Sequence, residues 1–370
     1  MTRVDVVVVG LGLTGSAAAW ALSRRGRSVV AFEAFQPDHR RGSSHGRSRI
    51  FRRAYTDRLY VELTGRAGEL WRLLERESGE SLLHRTGGLD HGAGGEPEAM
   101  AALLADAGVP AELIPPDEAA RRWPGMSFEG PVLFHPEAGV IDPERAMAAM
   151  TRLATSAGAR ISYGTWVDAL EPQSDGGVLV RTGSGSLHAR TVVVAAGPWT
   201  EPLLSGLVKL PRLTVTQQQV FFFRPHESAV WPTFIREDDD AVYGLPEGPL
   251  LKVAEHGRGR VTTAEDRDGV VDPASRERVM SFVRRWLPGV DPAPCDELTC
   301  LYTSTDGEDF ILDRQGPIVV CSPCSGHGAK FTPLVGEIAA DLADGHPPIH
   351  ERFTLAAHER PSGRDRRANS

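Results

Sequence analysis

The opening residues constrain this chain more than any other stretch. Residues 4–9 form a valine-dominated run of the kind seen in a strand covered on both faces. The run leads straight into Gly10-Leu11-Gly12-Leu13-Thr14-Gly15, and a helix-forming segment over 16–22 follows. Gly26 breaks that helix, a second strand is expected over 27–32, and Glu33 ends it. Strand, glycine turn, helix, strand and acid together make one βαβ unit. Gly10 permits the tight turn, Gly12 lets the backbone approach a pyrophosphate, and Gly15 lets helix and strand pack closely. The pyrophosphate sits at the helix N-terminus, where unpaired N–H groups and the helix dipole favour negative charge. Glu33 then accepts hydrogen bonds from a ribose hydroxyl. The pattern specifies a bound dinucleotide without distinguishing FAD from NAD.

Residues 34–53 are polar, rich in glycine and arginine, and aperiodic. They read as an ordered loop wrapped over something anionic. Tyr60, Leu63, Ala67, Leu70 and Leu74 then mark one face of an amphipathic helix. A short strand over 86–90 and helices over 96–107 and 115–123 are expected next. Asp142 before Pro143 signals a helix start, and that helix runs to about residue 156 before a strand at 160–163. Strands over 177–181 and 187–190 make a hairpin. A separate buried strand over 191–197 ends at Gly197 and returns to the dinucleotide sheet. From 213 to 252 the texture changes to longer alternating strands, including 217–223 and 241–245, as in an antiparallel sheet. A helix over 274–286, a buried strand over 316–321 and a helix over 331–342 complete the reading. The expected fold is α/β (α+β): a discontinuous Rossmann-like dinucleotide-binding domain of residues 1–85, 143–205 and 300–358. An antiparallel-sheet substrate domain of residues 86–142 and 206–299 is inserted into it, and 359–370 form a frayed tail.

A net charge of −8 over 370 residues argues against nucleic-acid or anionic-membrane partners. No apolar run reaches membrane-spanning length and no leader-like segment precedes the first strand, so a cytoplasmic location is expected. Lys209, Lys252 and Lys330 are the only lysines among 41 basic residues. Where arginine supplies generic surface charge, a lysine is there more often for its compact charge or tunable pKa; Lys209, between Val208 and Leu210, reads as plain surface. Cys321 and Cys324 have the C-x₂-C spacing of a zinc ligand pair. Cys300, however, lies in the strand-like Leu298-Thr299-Cys300-Leu301-Tyr302-Thr303 rather than in a knuckle, and independent cysteines with no metal are expected.

The glycine fingerprint, the loop Gly42-Ser43-Ser44-His45-Gly46-Arg47-Ser48-Arg49-Ile50-Phe51-Arg52-Arg53, the 192–199 strand and the Cys300 and Lys330 segments occur in an order that resembles the monomeric sarcosine oxidase and N-methyltryptophan oxidase family. The resemblance spans the chain apart from its tail. It implies a p-hydroxybenzoate-hydroxylase-like fold and FAD tethered through the thioether of Cys300. It places Gly10, Gly12, Gly15, Glu33, Ser43, Arg49, Gly197, Gly326, Gly328 and Lys330 around the cofactor. It assigns the substrate carboxylate to Arg52 and Lys330, with Tyr243 and Tyr302 beside them. Lys252 falls on the oxygen-activating position, where a preorganised cation stabilises charge as O₂ is reduced. His45 and Arg49 match a pair that brings positive charge to the flavin ring, and His256 matches a position near the site. His256 reads equally well as a surface or packing histidine, and His327, between two glycines, reads as loop surface. Leu11 and Ala329 depart from the family pattern, and Ala329, where a larger aromatic is usual, implies a roomier pocket.

The expected activity is oxidation of a secondary amino acid, N-methylated or cyclic, to an imine, with O₂ reduced to hydrogen peroxide by a monomer or weak oligomer. Two alternatives remain at this level. One is a flavin dehydrogenase of the same fold that uses an electron carrier, and the other is a nicotinamide-dependent reductase.

Overall fold

The computed structural model describes residues 3–227, 230–239 and 241–359; of the expected tail, 360–370 lie outside them. The valine run forms the strand Arg3–Val9, the centre of an eight-stranded sheet. It pairs in parallel with Val29–Phe32 on one side and with Gly185–Val194 on the other. Arg160–Ser162 extends the sheet beyond Val29–Phe32. The helix Leu13–Arg24 follows the glycine turn, and its Ala17, Ala18, Ala19, Ala21 and Leu22 are fully buried. Its neighbour, the helix Thr332–Ala343, approaches so closely that a Cβ on Gly336 would lie 2.5 Å from the carbonyl oxygen of Ala17.

The expected hairpin forms, but its second strand and the buried strand expected as a separate element are one ten-residue strand, Gly185–Val194. Its first half pairs antiparallel with Val178–Thr182, and its second half pairs in parallel with Ile318–Ser322 on that same edge. Switching partners midway lets one strand have both textures, which the sequence showed as two segments.

The second sheet has nine strands and is mostly antiparallel. Thr214–Phe223 lies between Leu250–Glu255 and Asp296–Ser304, and Ala241–Glu247 and Thr233–Glu237 continue outward. Alternation divides its faces. Phe221, Phe223, Phe234, Leu251 and Val253 pack with Val279, Val283 and Trp286 of the helix Pro273–Trp286. Val220, Phe222, Ile235, Tyr243, Leu245, Lys252, Leu298, Cys300 and Tyr302 face a cavity instead. The expected domain boundary at residue 300 falls inside Asp296–Ser304, a strand paired along its length with Thr214–Phe223. Cys300 therefore belongs to the second sheet, because a continuous ladder cannot be divided at one of its own rungs.

Residues 34–53 are not wholly loop: Arg49–Phe51 is a strand, joined to Gly139–Ile141 and through it to Leu83–Arg85 in a small third sheet. Asp142 caps the helix Pro143–Ser156 by accepting from the Arg145 N–H at 3.0 Å. Among the described residues, no helix is long and apolar enough to cross a membrane. All four cysteines are free, and no group of metal-ligating side chains occurs there.

Candidate active site

A cavity of about 820 Å³ lies between the two large sheets, at the carboxyl ends of the parallel strands. Val9, Phe32, Ala195 and Cys321 reach it from the first sheet, and residues 42–46 and 48–50 cross between the sheets along its wall. Every candidate site residue lines it except Gly15. Gly15 packs instead, since a Cβ there would sit 1.7 Å from the Gly10 carbonyl oxygen. Gly10 has φ +89°, and its own Cβ would meet the Ala195 carbonyl oxygen at 2.6 Å. Only glycine fits either place.

The dinucleotide end is built from backbone donors. The helix Leu13–Arg24 starts at Gly12, which has no side chain to cap it, and has no acid in its first turn; Ser44 Oγ accepts from the Leu13 N–H at 3.1 Å, and the amino end faces the cavity at Gly12, Leu13 and Thr14. Glu33 accepts from Leu11 N–H at 2.7 Å through one carboxylate oxygen and from Phe35 N–H at 3.1 Å through the other. These bonds fix its orientation, and each oxygen keeps a lone pair for a ribose hydroxyl. Ser43 Oγ and His45 Nε2 are buried without a partner on the cavity wall. Buried polar atoms are ordinarily satisfied. The glycine cradle, the open helix end and these orphaned atoms fit a bound dinucleotide.

Arg49 donates to the carbonyl oxygens of Ser48, Ser43 and His45 at 2.7–2.8 Å and so pins the crossing loop. His45 was expected to share in the positive charge, but burial, then the Arg49, Arg267, Lys252 and Arg40 charges, lower its pKa to about 3. Its imidazole is neutral at physiological pH, and Arg49 carries the charge.

Lys252 projects from the second sheet and is buried. It donates to the Ser48 carbonyl at 3.2 Å and contacts Ser48 Oγ at 3.5 Å. Burial and the Arg49 charge lower its pKa to about 8, against pulls from Glu247 and Cys300. Cys300 is buried on the strand Asp296–Ser304, on the other side of Thr214–Phe223 from Lys252. Burial raises its thiol pKa, and the nearby Arg49, Lys252 and Arg267 oppose that without overcoming it.

At the far end, Lys330 sits in the 3₁₀ turn Gly328–Phe331. Its ammonium donates to Tyr55 Oη at 2.9 Å and to the His327 carbonyl at 2.9 Å. Burial, then the Arg52 charge, push its pKa well down. Arg52 is also buried, and it lies 4.8 Å from the Tyr55 ring centroid. It donates to Asp90 at 2.8 Å, so one cation expected to await a substrate carboxylate already has a carboxylate of the protein. His135 Nε2 lies 2.9 Å from the second Asp90 oxygen. Tyr243 and Tyr302 are hydrogen-bonded to each other, and the His256 ring lies 5.6 Å from Tyr302. Burial, with Lys330 and Arg52, lowers His256 to about 4. His327 is buried rather than on the surface, with Nδ1 3.2 Å from Tyr55 Oη and Nε2 3.2 Å from the Glu308 carbonyl.

Sequence reasoning missed Tyr55, Asp90, His135, Ser48 and Glu247. Alternation from Tyr243 through Leu245 carries a signal for Glu247, which lies on the same face of its strand. Nothing local marks Asp90, whose role depends on a partner 38 residues away.

The chain matches the model of the FAD dependent oxidoreductase (DAO) family over residues 5–342. It is 36% identical to monomeric sarcosine oxidase of Streptomyces avermitilis, over 92% of this chain and 93% of that one. It is 32% identical to N-methyl-L-tryptophan oxidase of Yersinia pestis, over 95% and 98% respectively. The structure superposes on NikD, described as an unusual amino acid oxidase essential for nikkomycin biosynthesis, with a TM-score of 0.85 at 29% identity over 96% of this chain and 98% of that one. L-proline dehydrogenase from P. horikoshii shares the fold, with a TM-score of 0.84 at 21% identity over 97% and 98%. The dinucleotide is thus FAD, and the chain belongs to the FAD dependent oxidoreductase family, among the flavin-dependent amine oxidases of the sarcosine oxidase type.

Proposed function

We propose that this protein oxidises a secondary amino acid, N-methylated or cyclic, at its C–N bond, and that its electron acceptor is O₂. The observation that carries the reading is the placement of two buried lysines along one cavity, Lys330 at the carboxylate end and Lys252 beside Cys300. FAD, when bound, accepts two electrons from the C–N bond and passes them to O₂, so the products are an imine and hydrogen peroxide.

In this reading the first sheet and the loop at its strand ends form the FAD domain, and the second sheet is the substrate domain. Gly10, Gly12, Glu33, Ser43, Arg49, Gly197, Gly326 and Gly328 hold the cofactor, and Cys300 tethers it. The three cations beside the Cys300 thiol favour the thiolate that such a bond requires. Lys330 and Arg52, both buried, bind the substrate carboxylate through charge-assisted hydrogen bonds, which are the strong ones. Asp90 holds Arg52 in place and offsets its charge, leaving Lys330 with the larger unmet demand for an anion. Tyr243 and Tyr302 bound the substrate from the sheet. Neutral His256 adds no positive charge there, so Arg52 and Lys330 are the cations that disfavour a protonated amine. Lys252 supplies the cation that stabilises charge on O₂, which favours the oxidase over the dehydrogenase alternative. A cytoplasmic enzyme acting as a monomer or weak oligomer completes the reading.

The test begins with acid denaturation. Yellow colour retained in the precipitate, and lost in Cys300→Ala, supports the tether; free flavin in the supernatant of the unmodified protein rejects it. A screen of N-methyl and cyclic amino acids for peroxide release follows. Flavin reduction by such substrates without peroxide formation would overturn the oxidase reading in favour of a dehydrogenase.

A further inference from the structure

Glu247 lies at the end of the strand Ala241–Glu247, half-buried on the cavity wall. Leu245 is directly opposite Lys252 in the ladder between this strand and Leu250–Glu255. Two residues further on, Glu247 is therefore a diagonal neighbour of Lys252 on the same face. Ser48 bridges them: its hydroxyl donates to the Glu247 carboxylate, while its carbonyl and hydroxyl oxygens face the Lys252 ammonium at 3.2 and 3.5 Å. The donors run in one direction, from ammonium to hydroxyl to carboxylate.

We propose that Glu247 is the positioning residue for Lys252, orienting Ser48 to hold the ammonium and supplying the negative charge that faces it. This inference rests on the oxygen-activating reading of Lys252 and adds what sustains that lysine.

The surroundings show why such a residue is needed. The charged and titratable groups facing Lys252 are Arg49 from the crossing strand, His45 from the loop before it, Glu247 from one neighbouring strand, and Cys300 from the strand Asp296–Ser304. Arg49 repels an ammonium, and His45 is neutral. Cys300 favours a cation only as a thiolate, and its buried thiol resists ionisation. Once joined to FAD as a thioether it has no proton to lose. Glu247 is then the one anion left in that set. Burial disfavours a charged lysine, and with Glu247 opposing that penalty the Lys252 pKa rests at about 8.

Because the chain has only three lysines, protein labelled with ¹³Cε-lysine gives three assignable signals. Their titration by NMR in the oxidised, FAD-loaded protein reads Lys252 without turnover. In Glu247→Gln, and to a smaller extent in Ser48→Ala, the Lys252 midpoint is expected to fall by about one unit while the Lys330 signal stays in place. The pH above which stopped-flow reoxidation slows is expected to fall with it, and substrate reduction of the flavin is expected to hold. An unmoved Lys252 midpoint in both variants overturns the proposal, as does an equal shift of both buried lysines, which would indicate general loosening. The underlying reading has a separate test: reoxidation at the unmodified rate in Lys252→Met would remove the oxygen role whatever the titration shows.

Discussion

Lys252 and Lys330 are the same residue type at similar burial in one cavity, and their surroundings differ. Lys252 stands on a strand, held through Ser48 within reach of the Glu247 carboxylate. Lys330 stands in a tight turn and donates only to neutral oxygens, those of Tyr55 and the His327 carbonyl. The carboxylate nearest that end, Asp90, is bonded to Arg52 and His135. One ammonium has a carboxylate within reach through Ser48, and the other has neutral oxygens as its hydrogen-bond acceptors among the described residues. A buried cation with a resident partner suits stabilisation of transient charge, whereas one without suits ligand binding.

The largest effect is expected from removing the committed carboxylate. Asp90→Ala removes a buried carboxylate bonded to Arg52 and His135, at about 3–5 kcal/mol of stability. Thermal unfolding measures this, and a melting point within a degree or two of the unmodified protein would show that the pair sustains little. The pH dependence follows from the same group. Burial pushes the Asp90 carboxyl upward, but Arg52 and His135 together bring it below 3.8. Its contribution is therefore full above the unfolded pKa and lost as pH falls through the lowered folded value. Acid melts of Asp90→Ala should lack that component.

Next in size, Lys252→Met should slow reoxidation by O₂ by about 10²–10³-fold, the usual cost of one preorganised group that stabilises developing charge. Anaerobic reduction by substrate should change little. Stopped-flow measurement of the two half-reactions separates them, and a loss confined to reduction would reverse the assignment of the two lysines.

Lys330→Met should show the complementary pattern. Loss of a charge-assisted hydrogen bond of about 1.5–3 kcal/mol weakens a competing carboxylate ligand about 10- to 100-fold, read by titration of the flavin spectrum. Unchanged affinity would leave Arg52 as the carboxylate site in spite of Asp90.

The smallest effect is a proton count. Burial and Arg52 lower the pKa of Lys330, and a bound carboxylate raises it again. Binding should therefore take up protons at pH values between the lowered and raised midpoints. Calorimetry in two buffers of different ionisation heat reads this directly, and equal heats would show that Lys330 is fully charged before the ligand binds.

Consecutive residues carried the features that backbone geometry imposes locally. The glycine turn, the Asp142 cap and the alternation that brings Leu298, Cys300 and Tyr302 to one face each depend on neighbours a few positions apart. The scarcity of lysine also marked Lys252 and Lys330 without any structure. What the sequence obscured were choices made by register and burial. Gly185–Val194 read as two strands because it changes partners midway. The expected domain boundary fell at Cys300, although its ladder starts four residues before it. His45 read as a cation, and burial beside Arg49 makes it neutral. Whether a charge is free for chemistry depends on which opposite charge folding brings within hydrogen-bond reach and how much water remains. Asp90 meets Arg52 across 38 positions and Glu247 meets Ser48 across 199. The sequence by itself determined the dinucleotide unit and the residue types available to the site. Tertiary structure decided which cations are already paired, because Coulomb interaction and desolvation depend on distance in space and not along the chain.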